Sequence, residues 1–157
     1  MRILAIDPGE SCGWATNSAE NCPINKTADS GVWSFKLKRD ENFAYKLINF
    51  ERELINQIKT RDINLVVFER VSGHHAAAVM SHSKFVAIIE VYCTRNGLPF
   101  KGYSATELKK FATGNGNAGK LLMIKSAIRK FGYKGNRDDE ADAICLLNLA
   151  IKDNEIS

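Results

Sequence analysis

Two short apolar runs each end on an acid. Arg2 to Ile6 reads as a buried strand stopped by Asp7-Pro8-Gly9, and Asn64 to Phe68 reads as another that stops at Glu69. Runs without alternation are strands covered on both faces, so the rest of the chain has to supply that cover. Gly13 to Thr16 is expected as a strand. Val32 to Lys38 alternates, with Trp33, Phe35 and Leu37 on one face and Ser34, Lys36 and Lys38 on the other, as a half-buried antiparallel strand does. Polar residues from Asn17 to Ser30, with Pro23 among them, are expected to form a long loop. A helix is expected over Phe43 to Thr60, where Leu47, Phe50, Leu54 and Ile58 keep helical spacing, and a mostly buried one over Ala76 to Cys93. Leu98 to Tyr103 reads as a short strand. Ser104 and Glu107 form a capping box that opens a helix ending before Gly114. Lys120 to Phe131 and Asp138 to Lys152 read as the last two helices. The order predicts an α/β fold, a mixed sheet flanked by helices.

The chain has 157 residues, the size of one domain over 1–157 and enough to bury roughly two-thirds of its unfolded surface. No run approaches about 18 uninterrupted apolar residues, and an acid at position 7 comes too early for the apolar stretch of a signal peptide. The expectation is a cytoplasmic protein with no membrane contact. Its four cysteines, Cys12, Cys22, Cys93 and Cys145, lack C-x-x-C spacing and read as reduced thiols rather than a zinc site. Net charge is +4, unevenly spread. Residues 101–137 hold nine lysines and arginines against Glu107 alone, a block of +8, and leave −4 for the remainder. Such a block fits a polyanion, although solvated lysine-rich helices look the same by charge alone.

Asp7 and Glu69 sit at strand ends, where α/β sheets collect ligands. Asp139 and Asp142, three apart at the start of the last helix, share one face. Each acid alone has a plain explanation, as a turn former, a solvated strand end or a helix cap. Together they mean more. Ala141 and Ala143 flank Asp142, so this helix can lie close to the sheet and bring its acids to the other two. A carboxylate pair about 4 Å apart costs on the order of 4 kcal/mol at an effective dielectric of 20. A hard oxygen-seeking cation makes such a cluster sensible, Mg²⁺ or Mn²⁺ best. Two ions would activate a water and stabilise the leaving oxygen of a phosphodiester. Acids plus basic block read as a metal-dependent nuclease.

Ile6-Asp7-Pro8-Gly9, Phe68-Glu69 and Asp139-Glu140-Ala141-Asp142-Ala143, in that order, resemble the RuvC-type Holliday junction resolvases. So do Tyr103-Ser104-Ala105-Thr106-Glu107-Leu108-Lys109 and Gly114-Asn115-Gly116-Asn117-Ala118-Gly119-Lys120, and the likeness runs from residue 1 to about 150. The resemblance implies a ribonuclease H-like fold, with three antiparallel strands followed by parallel ones, and a homodimer that nicks two symmetric strands of a four-way DNA junction. It implies that Asp7, Glu69, Asp139 and Asp142 hold two metal ions. It further implies that Lys109 and Lys120 contact phosphate beside the scissile bond, Lys120 as part of the catalytic set, with Lys110 next to them on the DNA side. One departure stands out. Where family members carry an aromatic wedge after the glutamate, this chain reads Arg70-Val71-Ser72-Gly73-His74-His75. His74 or His75 would stack on bases, Arg70 would insert, or the loop carries no wedge. Adjacent histidines in a loop rarely face one ion, which argues against a metal site there.

Without a wedge, a looser nuclease for branched DNA, flaps or RNA of the same fold is the enzymatic alternative. A non-catalytic nucleic-acid-binding module is the other, and four idle acids argue against it. Paired cuts need two acidic clusters, so a second copy has to supply one. The apolar helix Ala76 to Cys93, with Val86, Ile89 and Cys93 on one stripe, is the expected contact: apolar nearly all round, it could cover the sheet with one face and meet its copy with another, the alternative being simple burial inside the monomer. The sequence leaves open whether a cellular or a phage genome encodes the chain.

Overall fold

A computed structural model describes residues 1–18 and 27–155. The centre of the expected 17–30 loop, with Cys22 and Pro23, lies outside the described residues. The elements are β1 (Ile3–Asp7), β2 (Ser11–Thr16), β3 (Asp29–Ser34), α1 (Phe43–Thr60), β4 (Leu65–Glu69), α2 (Ala76–Arg95), β5 (Phe100–Tyr103), α3 (Ala105–Thr113), α4 (Lys120–Phe131) and α5 (Asp138–Glu155). Strand order is β3-β2-β1-β4-β5. The first three strands are antiparallel, while β4 and β5 run parallel to β1. This is the expected mixed sheet.

Alternate residues of β1 feed two separate cores, which is why its sequence shows no polar face. Leu4 and Ile6 join Phe50 of α1 and Phe85 and Ile89 of α2 on one side. Ile3 and Ala5 join Leu108 of α3, Met123 of α4 and the long apolar run of α5 on the other. The two helical layers differ in texture. Phe50 and Phe85 meet edge to face at 5.2 Å, with Phe35 and Trp33 packed around them. The other layer is aliphatic: α5 buries leucines and isoleucines, with Ala141, Ala143 and Ala150 fully buried among them. The capping box at α3 forms as expected, with Ser104 Oγ accepting from the Glu107 amide and the Glu107 carboxylate accepting from the Ser104 amide. Gly114 closes the helix in the left-handed conformation.

Two expectations need correction. The third strand is Asp29–Ser34, not Val32–Lys38. Its ladder with β2 runs from Thr16↔Asp29 to Ser11↔Ser34, and beyond it the buried Phe35 keeps one backbone bond, to the Glu10 carbonyl at 2.8 Å, while Leu37 is 37% exposed. Side-chain alternation continued past the point where a partner strand existed. The second correction concerns α2, which is not mostly buried: only one stripe of it is covered. Val86, Ile89 and Cys93 lie on that stripe beside Phe85, against the sheet, so the sheet-covering face is theirs and any contact with a second copy falls to the other. The opposite face is the bare one: Met80 is 62% and Val91 46% exposed, with Ala76, Ala77 and Ala87 also open to solvent. Among the described helices α2 alone is long and apolar enough to cross a membrane by length and composition, and its sheet-facing stripe accounts for much of that hydropathy. Cys12, Cys93 and Cys145 are buried free thiols.

Candidate active site

Asp7 and Glu69 end adjacent parallel strands. The register pairs Ile6 with Phe68, so the two acids follow at the same edge of the sheet. Asp7 also lies opposite Gly13 of β2. That glycine decides the site's shape. A Cβ at Gly13 would fall 1.9 Å from the Asp139 carbonyl oxygen and 2.9 Å from the Glu140 amide nitrogen, so the first turn of α5 rests directly on β2. Only a residue without a side chain permits that approach. Ala141 and Ala143 continue the close contact, as their size predicts. The first two turns of α5, at the positive end of the helix dipole, thereby carry Asp139 and Asp142 to the strand ends.

The acids sense one another. Burial pushes the Asp7 carboxyl well above the usual carboxylate range, and Glu69, Asp142, Asp139 and Asp138 push it further. Burial, then Glu69, Asp138 and Asp139, raise Asp142 to about 7, with Lys109 opposing. Burial also raises Glu69, and Lys109 again opposes. Lys109 therefore stands in the field of Glu69 and Asp142. Lys120, the first residue of α4, ion-pairs with Asp138, and the charges of Asp139 and Asp142 act on it as well. Asp139 takes hydrogen bonds from Ser11 and Arg137. Below the cluster, His82 of α2 donates from Nε2 to the Glu69 carbonyl oxygen at 3.1 Å, tying α2 to the end of β4.

Other expected site residues lie elsewhere. Lys110 faces away from the acids, lining a shallow depression with Phe111, Leu149 and Lys152. Arg70 lies across Gly102, where a Cβ would meet its Cγ at 2.5 Å, and ion-pairs with Glu107 at 3.1 Å. His74 and His75 are exposed in the loop before α2, and His75 caps that helix without a side-chain bond. Sequence reasoning missed Gly13, Ser11, Arg137 and His82. A lone glycine in an expected strand was a readable sign of close approach. The other three carry no motif.

A family model for the crossover junction endodeoxyribonuclease RuvC matches residues 3–151. The chain belongs to the RuvC family. The RuvC protein of Brachyspira hyodysenteriae is 30% identical over 151 residues, covering 93% of this chain and 91% of its own. That of Salinispora arenicola is 27% identical over 150 residues, covering 93% and 85%. Among solved structures, Thermus thermophilus RuvC in complex with Holliday junction substrate matches with a TM-score of 0.80 at 16% identity, over 99% of this chain and 96% of that one. The yeast mitochondrial Holliday junction resolvase Ydc2 matches at 0.64 and 15% identity, over 94% and 76%. At such identities the structural likeness speaks for the fold, the ribonuclease H-like arrangement expected from the RuvC motifs.

Do the acids suit a cation? All four donors are carboxylate oxygens, the set that Mg²⁺ and Mn²⁺ prefer. Asp142 Oδ1 is buried with no hydrogen-bond partner, an acceptor left for something other than this chain's own donors. Among the described residues no three such side chains stand close enough together to hold an ion as they are. It is the donor chemistry and the unpartnered Asp142 oxygen that fit the ion.

The same electrostatics predict a pH profile for the metal-free protein. Asp7, Glu69 and Asp142 bind protons more tightly folded than unfolded. Their contribution is complete below the unfolded values and is lost as pH rises through the folded ones. For Asp142 that window runs from 3.8 to about 7. Burial lowers His82, which opposes the trend as one group against three. Asp138, held low by its bond to Lys120, and Glu107, held low by its hydrogen bonds from Ser104, lose their contribution only at more acidic pH. Thermal melts in EDTA are expected to show stability falling between about pH 5 and 7, with Mg²⁺ restoring it at the upper end. Stability that climbs with pH across that interval contradicts the crowded cluster.

Proposed function

We propose that this chain is a metal-dependent endonuclease that resolves four-way DNA junctions by paired symmetric nicks, acting in the cytoplasm as a single nuclease domain over 1–157. The observation that carries the reading is the meeting of Asp7, Glu69, Asp139 and Asp142 at one sheet edge, in a chain of the RuvC family. The four acids would hold two ions, Mg²⁺ or Mn²⁺. When bound, such ions supply Lewis acidity that lowers the pKa of water and balances charge on the leaving oxygen. The chain's own residues do the rest. Burial and like charge favour the protonated forms of Asp7 and Asp142, and a bound cation would favour the ionised ones. Lys109, facing Glu69 and Asp142, provides a mobile positive charge for the phosphate that approaches them. The Lys120 side chain is 81% exposed and ion-pairs with Asp138, a partner it would exchange for DNA.

A panel of labelled four-way junction, flap, linear duplex and RNA–DNA hybrid, with and without Mg²⁺, tests the assignment. The junction alone is expected to be cut, and only with metal. The loop Arg70 to His75 favours a second reading, a nuclease looser in its choice of branch. It offers no aromatic wedge, and its arginine is engaged with Glu107. Efficient flap cutting in the same panel would select that reading.

Paired cutting needs two sites, and the bare face of α2 supports a two-fold dimer. Met80, Ala87 and Val91 fall on one side of the helix, with Ala76 at its end and exposed Lys84 between Met80 and Ala87, its charge over the Phe43 ring, and a second copy would pack on this side. Replacing both Met80 and Val91 with glutamate places like charges at the centre of that contact. Sedimentation at micromolar concentration is expected to show a dimer for the native chain and a monomer for the double variant, with the melting temperature little changed. A native monomer contradicts the dimer.

A further inference from the structure

Arg137 stands two residues ahead of Asp139, immediately before α5, and its main chain is fixed. The Tyr133 hydroxyl accepts from the Arg137 amide at 3.0 Å and lies 3.0 Å from a Glu140 carboxylate oxygen, while the Arg137 carbonyl accepts from the Ala141 amide at 3.1 Å. Tyr133 is buried beneath this turn, and Gly135 makes room for it: a Cβ there would lie 2.3 Å from the hydroxyl oxygen.

The side chain is the movable part, and it reaches into the acid cluster. One terminal guanidinium nitrogen donates to Ser11 Oγ at 2.7 Å and to Asp139 Oδ2 at 3.1 Å. Ser11 Oγ donates to the same Oδ2 at 2.7 Å. The Arg137 side chain is 52% exposed, so this is a rim contact rather than a buried pair. Asp139 thus has its own cation within the chain, on Oδ2.

A divalent ion on Asp139 would draw on the same carboxylate charge that holds the guanidinium, weakening that pair and repelling Arg137. Ser11 Oγ would be its remaining partner at the site, and its fixed main chain keeps it at the rim. The anion that arrives there with substrate is a DNA phosphate, which arginine binds in bidentate geometry. We propose that Arg137 is a DNA-phosphate contact gated by metal: it neutralises Asp139 in the metal-free site and passes to the nucleic-acid backbone when the ion takes Asp139. The proposal rests on the metal reading of the four acids given above.

The test uses the whole protein and no cleavage. Mn²⁺ is titrated calorimetrically into DNA-free native chain, Arg137→Gln, Arg137→Lys and Asp139→Asn. Arg137→Gln is expected to bind Mn²⁺ roughly three- to fivefold more tightly, the range set by an ion pair worth up to about 1 kcal/mol. Junction affinity is then measured against salt, once in Ca²⁺ and once in EDTA. In Ca²⁺, Arg137→Gln is expected to lower the log–log slope by about 0.9, the share of one duplex phosphate contact, and in EDTA to leave it unchanged. Arg137→Lys restores the slope. Unchanged Mn²⁺ affinity in Arg137→Gln, or a slope lowered equally in Ca²⁺ and EDTA, overturns the gated contact. Unweakened Mn²⁺ binding in Asp139→Asn overturns the four-acid site itself, a separate failure.

Discussion

Asp7→Asn is expected to reduce junction cleavage by at least about 10³-fold while leaving junction binding within a few fold, as loss of a member of a cooperating catalytic set does. Asp7 is the buried centre of the cluster, the acid on which all the others act. Removing its charge weakens the hold on a cation and leaves the basic residues of α3 and α4 in place. The same substitution is expected to raise the melting temperature in EDTA at pH 8. There the native carboxylate must either ionise among like charges or hold a proton against the pH, and the asparagine does neither. Loss of activity with a gain in metal-free stability separates a charge effect from misfolding. Near-native cleavage at ordinary Mg²⁺, measured on gel-resolved labelled junction, contradicts the assigned site.

Gly13→Ala is expected to damage both stability and activity without touching an acid. A methyl group placed 1.9 Å from the Asp139 carbonyl oxygen meets backbone, which cannot rotate away. Either β2 or the first turn of α5 must move. Overpacking of this kind costs about 3 kcal/mol at the upper end of its usual range. For a chain of this size that corresponds to a melting temperature lower by roughly 6–12 °C. Since the same turn carries Asp139, cleavage is expected to fall by roughly 10²-fold or more even well below the melting temperature, the scale set by small misplacements of reacting groups. Calorimetry and initial rates at 20–25 °C check the two effects separately. A variant with native stability and rate would mean that α5 does not rest on Gly13.

Much of the site was legible because it depends on local chemistry. A run of apolar residues broken by an acid marks a strand end, and Asp7 and Glu69 fall on adjacent parallel strands as that pattern implies. Helical spacing put Asp139 and Asp142 on one face, and alanine neighbours foretold a helix close to the sheet. The capping box at Ser104 and Glu107 was readable for the same reason. What escaped depends on pairing between distant segments. The limits of β3 are set by where β2 starts, not by the alternation of its own side chains, so Asp29 to Gly31 pair while Leu37 does not. Which face of α2 is covered follows from how the helix is rotated against Phe50 and the sheet, and composition alone left both faces equivalent. Arg70 looked free to insert into DNA, and its ion pair with Glu107 crosses 37 residues of sequence. The bridge from Arg137 through Ser11 to Asp139 spans 126 residues and has no local signature.

The most direct test is a single-turnover reaction on supercoiled plasmid carrying an extruded cruciform, a four-way junction in closed DNA. Native protein with Mg²⁺ is expected to convert it to linear product with cuts at symmetric positions in opposing strands, and EDTA to leave it supercoiled. Nicked circles that accumulate without linear product, or cutting that persists in EDTA, would contradict an acid-held, metal-dependent centre acting in pairs on a four-way junction.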